Sequence, residues 1–583
     1  MILRALVEYY ETLARQGKVL QPGWGEAKIS YALCIDEAGR LERLVSLKRK
    51  RSDGKSAAME PTPVELPAPV KRTLGIAPNF LWDNAGYLLG MENKGGPGRS
   101  RACFAASREL HKAVLSHTGS PAAQALLSFF EGWDPETAFD HPALQGSLES
   151  LLAGANLAFL YQGAFLQEDP EIRRAWQDYY HAAESGGEAI CLVTGDRGSA
   201  QPVHPPIKGV AGALPAGAAL VSFNAPAFCS YGREQSLNAP ISRYAAFAYA
   251  AALNRLTADE EHLFRIGDMT VVFWAENGQT AYSDLFRSLL LEKPEPYLAI
   301  RLQKIAEDLR EGRPAVYEEA RLDPAMGFHV LGLSPNAARL SVRLFLRDAF
   351  GRFVRNLERH QERLRIARPF PGEGERMPLG ELLEETVRKN ARTPSPIPEM
   401  AGETLRAILD DSRYPATLLH SVEIRIRAER EVTPGRAAIL KAYYLKNPDP
   451  GFPKEVLKVG LNAESSNIPY TLGRLFSELE TIQSAAEPGA RAGMKRKYWG
   501  PASTTPNLVF PILMSRAQQQ LEELDEGTRS RYDGRLAELA EKLGESYPAR
   551  MNLPQQGAFQ LGYYHQVQAR SRERGGGRST NES

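Results

Sequence analysis

The hydrophobic pattern of this chain changes at a proline-rich segment, residues 392–400 (RTPSPIPEM), where closely spaced prolines exclude a regular helix. After this segment, apolar residues recur at helical spacing. The predicted helices cover residues 403–412, 416–430, 435–446, 470–486, 508–526, 534–546 and 555–572. A bundle is the natural way to bury so many one-sided helices. We therefore expect a linker at 392–400, a C-terminal helical bundle at 401–572 and a disordered tail at 573–583.

The part before the linker mixes helical and strand-like patterns. An amphipathic helix comes first, and apolar runs at 29–34 and 41–47 around a glycine-containing turn predict a β-hairpin. Short runs rich in β-branched and aromatic residues at 189–195, 217–224 and 269–276 predict buried strands. A chain of 583 residues is also too long for one ordinary core. We expect a multi-domain α+β protein, with an N-terminal α/β region at 1–119, a helical insertion at 120–185 and a central α/β region at 186–391.

Residues 327–348 predict two strands around the turn SPNAA, and the second strand alternates with a period of two. The expected apolar face contains Leu340, Val342, Leu344 and Leu346. The expected opposite face contains Arg339, Ser341, Arg343, Phe345 and Arg347. A helix follows with a stripe of Arg352, Arg355, Arg359 and Arg363. The pattern predicts a basic face with an aromatic side chain on the strand, and a stripe that pairs either with acidic residues or with neighbouring subunits.

Charge and motifs exclude several classes of function. The 71 basic and 70 acidic residues leave a formal charge of +1, so nucleic acid would have to be bound by local basic patches. The sequence contains no phosphate-binding loop, no GxSxG and no HExxH motif. Its four cysteines, Cys34, Cys103, Cys191 and Cys229, form no CxxC pair, which favours free thiols in a reducing cytoplasm. We expect no catalytic residue, metal ligand, cofactor or membrane span.

Two polar segments are open to more than one interpretation. Residues 224–242 (NAPAFCSYGREQSLNAPIS) concentrate amides, hydroxyls and the aromatic Tyr231. They could line a nucleic-acid groove or form a satisfied buried network, and the residue types by themselves favour the network. Residues 497–507 (KYWGPASTTPN) interrupt the helical pattern. They predict a loop, which either connects two helices or contacts a nucleic-acid strand.

Longer motifs carry a resemblance along nearly the whole chain. They are MILRALVEYYETLA, GIAPNFLWDNAGYLLG, CLVTGD with HPPIKGV, SFNAPAFCSYGREQSLNAPIS, VVFWAE, FHVLGLSPNAARLSVR, PYTLGRLFSELE and AFQLGYYHQ. In this order they resemble the large-subunit family of the type I-C CRISPR surveillance complex, Cascade. The resemblance implies a cytoplasmic, non-enzymatic subunit that reads the short flanking motif (PAM) on target duplex DNA, while base pairing with the CRISPR RNA reads the target sequence.

The resemblance also implies a set of partners. They are the target double-stranded DNA, the CRISPR RNA, and the backbone and 5′-handle-binding subunits of the complex. The C-terminal bundle resembles the Cascade small subunit, which an internal translation start can yield as a separate protein. A helicase-nuclease is expected to be recruited after target binding, so that DNA is degraded by this partner. No membrane is expected among the partners.

The PAM-reading candidates lie before and within the APNFLWDN motif, where cations and small polar side chains occur on a constrained loop. They are Lys71, Arg72, Thr73, Asn79 and Asn84. Local capping by the two asparagines is the alternative interpretation. From the 224–242 segment, the candidates are Asn224, Tyr231, Gln235 and Asn238.

Candidates for binding the DNA backbone are cations in several segments. They are Lys48, Arg49, Lys50, Arg51, Arg99, Arg101, Lys208, Arg339, Arg343, Arg347, Lys495, Arg496 and Lys497. Weaker candidates in the bundle are Arg425, Arg427, Arg430, Lys441 and Arg474. The alternative functions are a metal-dependent nuclease, a CRISPR RNA processing endonuclease, and an architectural subunit without DNA contacts.

Overall fold

The computed structural model of the protein describes residues 2–50, 59–70, 72, 75–91, 97–182, 188–293, 295–368, 376–390, 392, 395–488 and 493–576. Contacts divide the chain into two compact units. The first unit contains Met1–Pro205 and Val221–Ala252, and the second contains Pro206–Leu220 and Leu253–Ser583. Helices and strands occur in both, which confirms the predicted multi-domain α+β class.

The strands of the first unit are short. They are β1 (Trp24–Ile29), β2 (Tyr31–Ile35), β3 (Leu41–Ser46), β4 (Arg49–Lys50), β5 (Met59–Glu60), β6 (Thr62–Pro67), β7 (Trp82–Asn84), β8 (Asn156–Tyr161), β9 (Ala164–Phe165), β10 (Glu188–Ile190) and β11 (Arg197–Ser199). Its helices are α1 (Ile2–Arg15), α2 (Ala85–Leu88), α3 (Pro97–Leu115), α4 (Pro121–Gly132), α5 (Leu148–Leu152), α6 (Pro170–Ala182) and most of α7 (Arg243–Ala258).

Helices dominate the second unit. Its strands are β12 (Leu263–Ile266), β13 (Met269–Ala275), β14 (Ala315–Tyr317), β15 (Ala320–Leu322), β16 (Gly327–Asn336) and β17 (Arg339–Ala349). Its helices are α8 (Thr280–Leu291), α9 (Pro296–Arg310), α10 (Phe350–Leu364), α11 (Leu379–Glu384), α12 (Pro398–Asp410), α13 (Ala416–Glu429), α14 (Pro434–Lys446), α15 (Ile468–Ala486), α16 (Met494–Thr504), α17 (Pro506–Glu522), α18 (Glu526–Leu543) and α19 (Leu553–Gly576).

A five-stranded sheet organises the first unit, in the order β3-β2-β8-β7 with β9 paired to β8. The predicted hairpin is confirmed, since β2 and β3 pair antiparallel. The expectation that residues 120–185 are mostly helical misses β8, which pairs with β2 in parallel. Its run NLAFLY is six residues long, and periodicity does not separate so short a buried strand from a buried helix.

Two of the three predicted apolar strands differ from the structure. The run 269–276 forms β13, as predicted. The run 189–195 is mostly a turn, because β10 ends at Ile190 and the Gly195 N–H bonds back to the Cys191 carbonyl at 2.9 Å. The run 217–224 forms no regular strand, and only single bridges join Ala218 and Ala219 to two different neighbours. The apolar residues of the 217–224 run therefore pack locally and do not form a hydrogen-bonded β-ladder.

The second unit contains a four-stranded sheet in the order β12-β13-β16-β17. One hydrophobic core begins at Phe264, includes the inner face of this sheet and α8 to α10, and continues through the C-terminal helices to Tyr564. The core therefore extends across the proline-rich segment, where α12 begins at Pro398. Residues 393–394 of the predicted linker lie outside the described residues. The finer domain boundaries stay predictions.

All seven predicted C-terminal helices are present, and most ends differ by five residues or fewer, although α18 begins at Glu526, eight residues before the predicted start; the structure adds α16. Residues 573–576 of the predicted tail belong to α19, and residues 577–583 lie outside the described residues. Among the described helices, none is long and apolar enough to cross a bilayer. The four cysteines are free, and three of them are buried.

Candidate nucleic-acid interface

Arg72 is held by an ion pair that organises the loop before β7. Its guanidinium binds both carboxylate oxygens of Asp83, with the Nη1–Oδ1 pair at 3.0 Å, and its Nε donates to the Ala77 carbonyl at 2.7 Å. The same guanidinium lies 4.1 Å from the ring centre of Tyr87, a cation–π distance. Asp83 is 1% exposed. Arg72 therefore closes this loop, and a base contact would have to use the part of its side chain that remains exposed.

The two asparagines of this loop also serve the local backbone. Asn79 is buried, and its side-chain oxygen accepts a hydrogen bond from the Val70 N–H at 2.9 Å. Asn84 caps α2 by accepting from the Gly86 N–H at 3.0 Å. These bonds match the capping alternative. The candidates Lys71 and Thr73 lie outside the described residues.

The basic run at 48–51 is partly engaged inside the protein. Lys48 donates to the Tyr31 hydroxyl at 3.0 Å and to the Ser150 hydroxyl at 2.9 Å. Burial raises the pKa of Tyr31, but hydrogen bonds from Lys48 and Ser150 outweigh it and lower this pKa overall. Arg49 pairs with Glu60 at 3.4 Å. Lys50 is exposed, whereas Arg51 lies outside the described residues.

The two arginines of α3 differ from each other. Both are exposed, and Arg101 forms an ion pair with Glu136 at 2.7 Å. Within the described part of the chain, Arg99 has no acidic partner. Surface ion pairs of this kind contribute little to stability. Both side chains are therefore accessible to a strand, and no ion pair with a described residue has to be broken at Arg99.

The base of the 224–242 loop is fixed by hydrogen bonds. The Leu192 N–H donates to the Pro240 carbonyl at 2.9 Å, and the Gln201 N–H donates to the Ile241 carbonyl at 2.8 Å. The Ser242 N–H also donates to the Cys191 sulfur at 3.3 Å. Burial raises the pKa of this thiol, but hydrogen bonds from Ser242 and Thr194 outweigh it and bring the pKa to about 7. The loop therefore projects from a rigid base.

The tip of this loop is exposed to solvent, so the buried-network interpretation is wrong. Asn238 organises the tip: its oxygen accepts from the Ser230 N–H at 2.8 Å, and its Nδ2 donates to the carbonyls of Arg233 and Gln235. Tyr231 and Gln235 have positive φ angles of 55° and 49°, which residues other than glycine rarely adopt. Tyr231 is fully exposed. Asn224 is exposed as well.

A tyrosine held in this position suits a nucleic-acid contact. Aromatic rings that lie exposed on a fixed backbone can stack on bases, and neighbouring amides can donate to base edges or phosphates. Tyr231 is fully exposed on a tip whose backbone Asn238 fixes by hydrogen bonds, so its ring is available for such a contact. Three of the four candidates in this loop, Asn224, Tyr231 and Gln235, are exposed, and the fourth, Asn238, fixes the backbone of the tip.

The ladder between β16 and β17 contains a β-bulge that the sequence pattern does not reveal. Gly332 pairs with Leu344, but Leu333 pairs with Val342, so Arg343 is the extra residue. A shift of one residue moves the side chains beyond it to the opposite face. Accordingly Val342 is 43% exposed, whereas Leu344 is 2% exposed.

The predicted basic face of β17 is therefore wrong as a single surface. By the ladder register, Phe345 and Arg347 lie on one face, and Arg339 and Ser341 lie on the other. Arg347 also donates twice to Glu276, at 3.0 and 3.2 Å. Arg343 lies 3.9 Å from Asp268, and the backbone of Arg339 bridges to Ala219.

The arginine stripe of α10 is used within the second unit. Arg352 pairs with Asp348 at 3.1 Å, and Arg355 donates to the Arg310 carbonyl. Arg359 and Arg363 both bind Asp411. Of the two roles left open by the sequence, pairing with acidic and carbonyl groups of the same chain is the one found.

The 497–507 segment is not a loop, since its first part belongs to α16. Trp499 is 1% exposed and packs against the rings of Phe476, Phe559 and Tyr563, with centroids 5.0 to 5.7 Å apart. Burial of this large ring outweighs the low helix propensity of the Gly-Pro pair at 500–501. On α16, Lys495 donates to the Tyr563 hydroxyl at 3.0 Å, and burial lowers its pKa.

The remaining cations differ in accessibility. Arg496 and Lys497 are exposed on α16, and Lys208 is exposed before α7. Arg425 and Arg427 face Glu429 and Glu423 on their own helix. Exposed Arg430 follows this helix with a left-handed backbone. Two bundle candidates are buried in the unit, Lys441 and Arg474.

Sequence reasoning missed Asp83, which connects Arg72 to the backbone of the loop. The sequence did contain a signal: Asp83 lies within the apolar run NFLWDNAG, and an acidic residue in such a run is buried only when it is paired with a cation. The described residues contain no group of three or more His, Cys, Asp or Glu side chains that could hold a metal ion.

Comparison with known proteins places the chain in a family. A family model described as CRISPR-associated protein (Cas_Csd1) matches residues 6–571. A search of the curated proteins gives no match. The matched region includes the Arg72–Asp83 loop, the 224–242 loop and the helical C-terminal part. The chain therefore belongs to the Cas_Csd1 family of CRISPR-associated proteins.

Proposed function

We propose that this protein is the large subunit of a type I-C Cascade and that it reads the PAM on double-stranded target DNA. In this role it supports R-loop formation by the CRISPR RNA and recruits the helicase-nuclease, and it has no catalytic activity of its own. It acts in the cytoplasm with the backbone and 5′-handle-binding subunits. A small subunit made from an internal start would supply further copies of the C-terminal helices.

The observation that carries the proposal is the family match over residues 6–571. The exposed 224–242 loop supports it, because Tyr231 and its neighbouring amides offer stacking and hydrogen bonding on a fixed base. The near-zero net charge is consistent with contacts that are few and local. We assign DNA contact first to this loop, and then to the exposed cations Arg99, Lys208 and Lys497.

Tyr231→Ala is expected to weaken binding of PAM-containing duplex DNA by the reconstituted complex by about 5- to 100-fold. The range follows from ~1–3 kcal/mol for one aromatic–base stack and 1.4 kcal/mol per factor of ten. The fold should be unaffected, because a fully exposed side chain has no packing to lose. Dissociation constants are measured at one salt concentration, on targets with a correct and with a scrambled PAM.

Tyr297→Ala is the matched control, since Tyr297 on α9 is 86% exposed. If Tyr231→Ala removes the difference between the two targets, the loop reads the PAM. If it weakens both targets equally, the loop binds DNA without reading the PAM, which contradicts that part of the proposal. If binding equals that of the Tyr297 variant on both targets, the loop is not a DNA contact.

The absence of catalytic activity is tested separately. The assembled complex without helicase-nuclease is expected to leave bound target DNA and mature CRISPR RNA intact in the presence of magnesium or manganese. Denaturing gels over several hours provide the readout. Cleavage that depends on this subunit, seen when complexes with and without it are compared, would overturn the non-enzymatic role.

A further inference from the structure

A small polar cluster lies where α14, α19 and the segment after α10 meet in the second unit. The Tyr564 hydroxyl donates to the Ala367 carbonyl at 2.6 Å, and the Ala367 N–H donates to the Val459 carbonyl at 2.7 Å. These bonds fix the segment with Arg365 against α19, beside His565. Lys441 lies on α14, which packs against both α10 and α19.

Lys441 is a buried lysine without a counter-charge. It is 2% exposed, and no acidic side chain among the described residues pairs with it. Burial and, to a smaller extent, the positive charge of Arg365 lower its pKa to about 8. Lysines are almost never buried unless they are paired. The contrast on the same helix is Lys446, whose ammonium binds Asp411 at 2.8 Å.

His565 adds a second donor without an acceptor. The Tyr470 hydroxyl oxygen accepts from the Asn462 N–H at 3.1 Å and lies 2.9 Å from His565 Nδ1. Tyr470 is fully buried, so its proton has to go to Nδ1. Burial and, to a smaller extent, the positive charge of Lys441 lower the pKa of His565 to about 3, so the ring is neutral.

A neutral imidazole that accepts at Nδ1 carries its proton on Nε2. Nε2 of His565 is buried and has no hydrogen-bond partner in the described structure. A buried donor without an acceptor costs ~1–3 kcal/mol. Among the described residues, neither the Lys441 ammonium nor the His565 Nε2–H group has a hydrogen-bond acceptor, and the guanidinium of Arg365 is exposed nearby.

We propose that Lys441, His565 and Arg365 form an anion site that binds a backbone phosphate of a nucleic-acid strand. A phosphate group offers several acceptor oxygens and a negative charge, which is what these three donors lack. That the phosphate belongs to a nucleic-acid strand rests on the proposed function, whereas the need for an anion does not. The other source of negative charge, a carboxylate of a protein partner, is an outcome of the test.

The first experiment measures thermal unfolding of the full chain with increasing inorganic phosphate, at constant ionic strength set with chloride. Phosphate is expected to raise the Tm of the unsubstituted protein by about 1–3 °C, since a ligand that binds only the folded state stabilises it. Lys441→Met is expected to abolish this rise. Arg365→Gln, at an exposed position, should reduce it without affecting the fold.

The stability of Lys441→Met without phosphate separates an anion site from a structural role. Removal of an unpaired buried charge should leave Tm unchanged or higher, because methionine fills a similar volume without the desolvation penalty. Lys446→Met is the matched control on the same helix, and it should lower Tm while keeping the response to phosphate. A phosphate response that is equal in the Lys441 variant and the unsubstituted protein, or absent in both, would overturn the site.

The second experiment measures target-strand binding by the reconstituted complex. Lys441→Met is expected to raise the dissociation constant about tenfold, in the range of one charge-assisted hydrogen bond, and to lower the dependence on salt by about one phosphate contact. If the phosphate response is lost but strand binding is unchanged, nucleic acid is not the ligand and a carboxylate becomes the candidate. The Tyr231 result, which does not involve this site, decides the proposed function independently.

Discussion

Gly473→Ala is expected to destabilise the helical part of the second unit by about 3 kcal/mol or more, because two helices approach each other too closely there for a side chain. A Cβ at Gly473 on α15 would overlap the Phe559 carbonyl oxygen and approach the Tyr563 nitrogen on α19. On the facing helix, a Cβ at Gly562 would overlap the Tyr470 carbonyl oxygen. Backbone atoms cannot rotate away as a flexible side chain can, so the helices would have to separate.

Separation of α15 and α19 would open the centre of the core. Phe476 on α15 packs against Phe559 and Tyr563 on α19, with centroids 5.9 and 6.2 Å apart, and also against the buried Trp499. Hydrogen–deuterium exchange of peptides from both helices is the appropriate measurement, because a chain with two units need not unfold in one step. Exchange in these peptides should become much faster in the variant.

Gly534→Ala provides the control for this prediction. Gly534 lies within α18, and a Cβ there would meet no atom within 4 Å. Alanine should therefore stabilise this helix by about 0.5–1 kcal/mol relative to glycine. Unchanged exchange in α15 and α19 of the Gly473 variant would show that the helices are not packed as closely as described.

Arg72→Ala is expected to destabilise the first unit by about 2–3 kcal/mol, before any effect on DNA is considered. Removing one partner of a buried ion pair costs ~3–5 kcal/mol, because the other charge is left uncompensated. We expect a smaller effect here because the Arg72 side chain is 28% exposed and Asp83 keeps hydrogen bonds from the Asn79 and Asn84 N–H groups, at 2.9 and 2.8 Å.

A compensating double variant tests this explanation. Arg72→Met with Asp83→Asn removes both charges and keeps one oxygen, which can accept from one of the two backbone N–H groups, so part of the lost stability should return. Exchange of peptides covering residues 76–91 measures the loop directly. Arg99→Ala, at an exposed site without an acidic partner in the described chain, should change stability by less than about 0.5 kcal/mol. If Arg72→Ala behaves like Arg99→Ala, the ion pair does not organise the loop.

This prediction affects how a PAM assay is interpreted. Loss of PAM discrimination in Arg72→Ala would have two possible explanations, a missing contact between the guanidinium and DNA or a disordered loop. The single variant does not distinguish between them. In the double variant the loop should remain folded without the guanidinium. PAM discrimination that survives in the double variant would remove Arg72 from the list of base-reading residues, and loss of discrimination would support its role.

Local sequence patterns predicted many of the helices and a hairpin, because these elements depend mainly on residues that are close in the sequence. The period-two runs around a glycine turn predicted the β2–β3 hairpin, and the helical period predicted seven of the C-terminal helices. The pattern did not identify β8, and it assigned α16 to a loop. In both cases the deciding factor is a tertiary neighbour: β2 pairs with β8, and the aromatic core buries Trp499.

The candidate site shows the same division. Residue types identified the 224–242 segment as polar and Tyr231 as a candidate, but they favoured a buried network, and the structure exposes the tip. Alternation predicted a basic face on β17, and the bulge at Arg343 divides it. A bulge depends on how two strands pair, so the sequence of one strand does not reveal it.

By itself, the sequence determined the α+β class, most helices, the hairpins and the resemblance to a CRISPR family, since propensity, periodicity and ordered motifs are properties of the chain. Only the tertiary structure decided which charges are available. Asp83 engages Arg72, acidic neighbours engage the α10 arginines, and Lys441 is left buried without a partner. Whether a cation is paired depends on which side chains the fold brings within about 4 Å of it, and residues distant in sequence supply about half of those partners among the described residues.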